Sequence, residues 1–88
     1  MDWQRHPHNL TRRVPDGWLV LASSAETPVL LSGSAADLWD ALDEPAPLAR
    51  IVATVSHTYR GDPEQIRSDV EGALAQLLDL GIVEAVAP

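Results

Sequence analysis

The chain has 88 residues, a formal net charge of −7 and no cysteine. This length suits one domain with one core, and the lack of cysteine excludes disulfides and thiolate metal sites. No apolar run approaches the roughly 20 residues that span a bilayer, and the start lacks the apolar segment of a signal peptide, so we expect a cytoplasmic protein. Residues 1–13 have a net charge of +2, and the remaining residues have a net charge of −9. The acidic body disfavours nucleic acid and membranes as partners, because proteins bind both through neutralised phosphates.

The first residues are expected to be loosely held. Residues 1–9 are polar and contain the turn-prone Pro7 and Asn9, which predicts a flexible N-terminal arm. Beyond the arm we expect a single domain over residues 10–86, because no linker or low-complexity tract interrupts the sequence.

Three short strands are predicted next, over Leu10–Val14, Trp18–Ala22 and Pro28–Ser32. The turn Pro15-Asp16-Gly17 joins the first two, because proline presets φ and glycine tolerates a positive φ. Pro28 has no N–H to donate, so it belongs at the start of a strand or on a sheet edge.

The second strand is apolar on both faces. Trp18 and Val20 point to one face, whereas Leu19 and Leu21 point to the other. A sheet covered on one face should alternate apolar with polar residues. Two explanations stay open: the terminal segments cover the second face, or part of this surface awaits a partner.

The first helix is predicted to begin at Ser34, whose hydroxyl would cap the free N–H groups of the first turn. Asp37 follows in that turn and suits the positive helix end. The buried side is expected to consist of Leu38, Trp39 and Leu42. Prolines at positions 45 and 47 prevent the helix from continuing.

The second helix is indicated by apolar residues at helical spacing, namely Leu48, Ile51, Val52, Val55 and Tyr59. Gly61 is expected to end this helix.

The third helix has the clearest boundaries. Asp62 is the predicted cap, Pro63 takes the first position, and Gln65 is the expected partner in a capping box. Its apolar stripe consists of Ile66, Val70, Ala73, Leu74, Leu77 and Leu80. Gly81 is a natural C-cap, and Ile82 is placed to close the hydrophobic contact beyond it.

The element order is therefore β-β-β-α-α-α, with residues 82–86 extended as a tail. A small antiparallel sheet packed against three helices predicts a two-layer α+β domain.

Catalytic and metal-binding patterns are weak. His6 and His8 form an H-P-H pair without a third ligand nearby, and Ser34 has no suitably spaced base. The sequence contains no H-E-x-x-H, no G-x-S-x-G and no phosphate-binding glycine loop. We expect no catalytic residues, no metal and no cofactor, and therefore no enzyme.

The sequence resembles the PqqD-like family, which comprises recognition elements for precursors of ribosomally synthesised, modified peptides (RiPPs). The resemblance covers about residues 10–84 and rests on D-G-W-L-V-L, V-L-L-S-G-S-A-A-D-L-W-D-A-L and the closing Y-R-G-D-P-E…V…L…L…G-I-V. The family's L-N-x-T-G-A-like segment corresponds to Leu31-Ser32-Gly33-Ser34-Ala35, without the Asn or the Thr.

The resemblance implies a winged-helix-like fold that binds the leader of a precursor peptide. The leader would add as a strand to the third strand, in a groove beside the third helix, and the module would present it to a modification enzyme such as a radical SAM enzyme, a leader peptidase or a cyclase. Strand addition satisfies open backbone groups at a sheet edge. The implied peptide-binding residues are Val29, Leu30, Leu31, Ser32, Arg67, Val70, Glu71, Leu74 and Leu78. Val70 and Leu74 fit a plain core equally well.

Two other functions remain as alternatives. A winged-helix DNA-binding regulator is disfavoured, because the predicted third helix with its cap has a net charge of −4 and Arg67 is its only cation. A structural adaptor would use the same strand edge to pair with another protein or with itself.

Overall fold

The computed structural model describes residues 1–87, which form an α+β domain with three helices and two antiparallel sheets. The elements are β1 (Asp2–Arg5), β2 (Leu10–Val14), β3 (Gly17–Leu21), β4 (Val29–Leu31), α1 (Ser34–Ala41), β5 (Ala46–Pro47), α2 (Leu48–Thr58), α3 (Pro63–Asp79) and β6 (Val83–Val86). Within the described part of the chain, no helix has the length and apolar character needed to cross a membrane.

The predicted three-stranded sheet is confirmed, with the order β2-β3-β4. Both pairings are antiparallel, with Arg13 opposite Trp18 and Trp18 opposite Leu31. Since β3 lies in the centre, β4 is an edge strand of this sheet. Its outer side therefore carries backbone groups that the sheet itself does not pair.

The two faces of this sheet differ in burial, although both are apolar. Val20 and Leu31 face the core and are 0% and 3% exposed. On the opposite face, the register brings together Leu10, Leu19, Leu21 and Leu30. Leu10 and Leu30 remain 69% and 50% exposed there. The terminal segments therefore leave part of this outer face uncovered.

The N-terminal segment forms a second sheet, with the order β5-β1-β6. Strand β1 pairs antiparallel with β6 through four residues, from Asp2 opposite Val86 to Arg5 opposite Val83. Trp3 packs against the core from this strand. The prediction of a loosely held arm is thus wrong for Asp2–Arg5, because the C-terminal strand supplies a pairing partner that the local sequence does not reveal.

Helix α1 begins at Ser34 as predicted, but its cap differs. Gly33 is the N-cap residue, with a φ of 57°, and no side chain caps the helix. Because Ser34 is already the first helical residue, the prediction that its hydroxyl acts as the cap is wrong. Asp37 lies in the first turn, as predicted.

Helix α3 confirms most of its predicted boundaries. Asp62 is the N-cap and accepts a hydrogen bond from the Glu64 amide at 3.1 Å, with Pro63 in the first turn. The capping-box prediction is wrong, because Gln65 donates to Asp69 at 2.9 Å along the helix rather than back to the cap.

The C-terminal end of α3 has the geometry of a Schellman motif. Gly81, with a φ of 76°, donates to the Leu78 carbonyl at 3.0 Å, and Ile82 donates to the Leu77 carbonyl at 3.1 Å. Ile82 is fully buried. This confirms the predicted C-cap and turns the chain into β6.

The core lies between the β2-β3-β4 sheet, the helices and β6. Its largest fully buried side chains are Trp39, Leu42, Ile51, Leu74, Ile82, Val20 and Val83. Trp39 thus occupies the core position expected from the sequence.

Candidate functional site

The open edge of β4 is the first feature of the site. The Leu31 carbonyl points toward β3, because a Cβ added to Gly17 would lie 2.0 Å from its oxygen. Backbone groups alternate sides along a strand. The N–H and C=O of Leu30 therefore face away from the sheet, where an additional strand can pair with them.

A cavity lies where this edge leads into α1. It has a volume of about 370 Å³ and lies between the start of α1, the end of α2 and the first part of α3. We call it the α1–α3 cavity. Its apolar lining consists of Leu38, Val55, Ile66, Val70 and Ala73. Ser34, which follows β4 by three residues, also lines it, so β4 and the cavity are adjacent along the chain.

The rim of the cavity is polar and includes two carboxylates and one cation. It is formed by Ser34, Tyr59, Arg60, Gly61, Asp62, Gln65 and Asp69. The Tyr59 hydroxyl donates a hydrogen bond to Asp37 Oδ2, which links the end of α2 to the first turn of α1. This hydrogen bond is the main cause that raises the pKa of Tyr59 above its ordinary value. Desolvation and the carboxylate charge act in the same direction.

The predicted α3 residues fall on two different sides of the helix. Val70 lines the cavity, together with Ile66 and Ala73, which precede and follow it at helical spacing. At 100° per residue, Arg67 and Glu71 lie beyond the buried stripe on its other flank. They form an exposed i,i+4 ion pair at 3.2 Å.

The remaining predicted residues differ in accessibility. Leu74 and Leu31 belong to the hydrophobic core, which leaves them little surface for a peptide. Val29 is half-buried, Ser32 is exposed, and the Leu30 and Leu78 side chains are largely accessible. A peptide-binding role for these residues stays a prediction.

The cavity also contains residues that the predicted set omits, notably Tyr59, Ile66, Asp69 and Ala73. From the sequence, Ile66 and Ala73 are recognisable only as members of the apolar stripe of the third helix. The α3 sequence shows which residues are apolar, but the side of the helix that meets α1 depends on how the helices pack.

Candidate metal ligands are sparse in the described residues. The rings of His6 and His8 lie 5.6 Å apart, and the His8 amide donates to His6 Nδ1 at 3.3 Å. Within residues 1–87, no group of three or more His, Cys, Asp or Glu side chains is arranged to hold a metal ion.

Comparison with known proteins yields one family. No curated protein and no solved structure matches the chain significantly. The model of the family described as coenzyme PQQ synthesis protein D (PqqD) matches residues 17–83, a span that runs from β3 to the start of β6. In coarse terms, this match supports a peptide-binding adaptor associated with biosynthesis. The match covers well over half of the chain, which therefore belongs to the PqqD family.

Proposed function

We propose that this protein binds the leader of a ribosomally made precursor peptide as an added strand on β4. It then presents the precursor to a separate modification enzyme and catalyses no reaction itself. The observation that carries the proposal is the open β4 edge, which is followed three residues later by Ser34 in the lining of the α1–α3 cavity.

Strand addition accounts for affinity through the backbone. The N–H and C=O of Leu30 face the open edge, so an incoming strand can pair with them without disturbing the β3–β4 pairing. Such backbone hydrogen bonds are independent of the peptide sequence. They explain why the protein would hold an extended segment, but not which segment it selects.

Selection requires side-chain contacts, and the α1–α3 cavity is suited to provide them. Ile66, Val70 and Ala73 form an apolar wall on α3, opposite Leu38 of α1. A cavity of this size falls within the range of small-ligand pockets, and apolar linings with few polar groups are typical of binding sites.

The charge of α3 supports a peptide rather than DNA as the ligand. The equivalent helix of a DNA reader approaches phosphates and needs cations for that contact. Here the exposed side chains of α3 include Glu64, Asp69, Glu71 and Asp79 but only one cation, Arg67. This surface repels a duplex.

Delivery to an enzyme is the second half of the proposal. Family membership supports a precursor peptide as one partner and a modification enzyme as the other. The enzyme would be one that modifies or cleaves precursor peptides, such as a radical SAM enzyme, a leader peptidase or a cyclase.

A filled cavity tests the binding mode. The fluorescently labelled leader of a candidate precursor peptide, encoded near the gene for this protein, is titrated with wild type, Ala73→Leu and Ala75→Leu. Ala73 lines the cavity, whereas Ala75 is exposed on the same helix outside it. Both changes preserve helix propensity. We expect Ala73→Leu to weaken binding about tenfold and Ala75→Leu to change it less than about twofold. Wild type that fails to bind the leader, or equal effects of both changes, would contradict the proposal.

A second pair of variants tests the strand edge. Leu30→Pro removes both the side chain and the outward N–H, whereas Leu30→Ala removes the side chain alone. Proline is tolerated on edge strands, so the fold should persist in both variants, which circular dichroism can verify. We expect Leu30→Pro to weaken leader binding clearly more than Leu30→Ala. Equal affinities would show that the Leu30 amide does not pair with the leader.

A further inference from the structure

We propose that the α1–α3 cavity selects leaders that carry a bulky apolar side chain with a Lys or Arg within two residues of it. This inference rests on the proposed function and specifies the class of peptide that the same site accepts. The argument combines the apolar lining of the cavity with the charges at its rim.

The lining defines the apolar half of the ligand. The five apolar residues of the cavity come from all three helices, so they converge on one volume of about 370 Å³. Val70 and Leu38 are nearly fully buried and form the base, while Ile66 and Ala73 are half-buried at the side. Burial of an aliphatic or aromatic side chain here favours binding, because it removes apolar surface from water.

The rim defines the charged half. Asp62 and Asp69 line the cavity, and Asp37 is joined to it through Tyr59. Arg60 is the only cation among the lining residues. The charges of Asp37, Asp62, Asp69 and Arg60 sum to −2 at neutral pH. The rest of the acidic body adds to the negative potential.

The rim carboxylates also retain free acceptor capacity. Asp62 uses Oδ1 to accept from the Glu64 amide, and Asp69 uses Oδ1 to accept from Gln65. Within residues 1–87, the Oδ2 atoms of both accept no hydrogen bond from the protein. An ammonium or guanidinium group can therefore bind there without displacing an existing bond. The long apolar stems of Lys and Arg can also lie along the lining.

The spacing follows from the size of the site. The carboxylates of Asp62 and Asp69 line the same cavity that receives the apolar side chain. Neighbouring Cα atoms of a peptide are 3.8 Å apart, so a cation within two residues of the inserted side chain reaches the rim. An acidic residue at that position would be repelled, which excludes leaders that are acidic there.

The test combines changes in the protein with changes in the leader. The labelled leader of the same candidate precursor peptide is titrated with wild type, Asp69→Asn and Asp79→Asn. Asp79 is a matched control, because it lies at the far end of the same helix and outside the cavity. Each Lys or Arg of the leader is replaced in turn by Gln, and these leaders are titrated with wild type and with Asp69→Asn.

We expect Asp69→Asn to weaken binding about three- to tenfold and Asp79→Asn less than about twofold. Replacement of one leader cation, which lies within two residues of a bulky apolar residue, should weaken binding by a similar factor. Asp69→Asn combined with that leader substitution should weaken binding by less than the product of the two separate factors, because both changes remove the same interaction. Raising salt from about 50 mM to about 500 mM should weaken wild type more than Asp69→Asn.

The outcomes separate this inference from the proposed function. If wild type binds the leader but no cation matters, or if Asp69→Asn behaves as Asp79→Asn, the charge selection is wrong and leader binding stands. If wild type does not bind the leader, both proposals are overturned.

Discussion

Gly17 lies so close to the backbone of Leu31 that a Cβ on the glycine would come within 2.0 Å of the Leu31 carbonyl oxygen. Gly17 also has a φ of 145°, which side chains rarely adopt. The absence of a side chain thus lets β3 approach β4 where the first turn ends. In this arrangement the Leu31 carbonyl points inward, and the backbone groups of Leu30 lie on the open edge.

Gly17→Ala should therefore destabilise the protein by about 2–4 kcal/mol, because it combines backbone strain with a clash against the main chain. Urea unfolding followed by circular dichroism measures the loss. Gly72→Ala is the matched control, since a Cβ there has nothing within 4 Å. In the middle of α3 this change should stabilise by about 0.5–1 kcal/mol. Equal effects of the two substitutions would contradict the close approach.

Two neighbours in β4 should respond very differently to truncation. Leu31 is 3% exposed and Leu30 is 50% exposed, because they point to opposite faces of the sheet. We expect Leu31→Ala to cost about 2–4 kcal/mol of unfolding free energy, mainly through the cavity it leaves. Leu30→Ala should cost less than about 1 kcal/mol. A large loss for Leu30→Ala would show that the outer face is covered.

Arg5 should contribute measurably to stability. Its guanidinium donates to the Trp39 carbonyl at 2.6 and 3.2 Å and lies 4.6 Å from the centre of the Trp39 ring. Arg5→Gln should cost about 1–3 kcal/mol, because it removes charge-assisted hydrogen bonds that close the end of α1. Arg12→Gln, on the exposed outer face of the sheet, should change stability within about 0.5 kcal/mol. Thermal melting compares the two, and a similar small effect of both would contradict the role of Arg5.

Tyr59 should titrate above its ordinary pKa of 10.0, because its hydroxyl donates to Asp37. The folded state thus holds this proton more tightly than the unfolded chain. The resulting stabilisation is present below pH about 10 and is lost as the pH rises through the raised pKa. Tyrosinate absorbance reads the titration directly, since Tyr59 is the only tyrosine.

We expect Asp37→Asn to lower the midpoint of this titration. Asp40→Asn serves as the control, because Asp40 accepts instead from the Trp18 indole at 3.0 Å. An unchanged midpoint in Asp37→Asn would mean that the Tyr59–Asp37 hydrogen bond does not persist in solution.

Local signals predicted the elements of the fold but not all of their contacts. The structure confirms three local signals, each of which acts over a few residues: the turn around Gly17, the Asp62 cap and the Gly81 C-cap. The capping box at Gln65 failed because Asp69, one turn ahead on the same helix, offers a competing acceptor. Pattern rules name possible partners, whereas side-chain geometry selects among them.

The candidate site was predicted less completely than the fold. The family pattern indicated the β4 edge, and the structure leaves that edge open. On α3, however, Arg67 and Glu71 lie on the flank opposite Ile66 and Asp69, which face the α1–α3 cavity. Helical spacing groups residues by side but does not identify the neighbour that each side meets.

The sequence alone determined the acidic character, the three central strands, the three helices and the family, because these depend on composition and on neighbours a few residues apart. The tertiary structure decided the pairing of Asp2–Arg5 with Val83–Val86 and the location of the cavity. Both depend on contacts between distant parts of the chain. Such contacts form only when the core packs, and no local pattern records them.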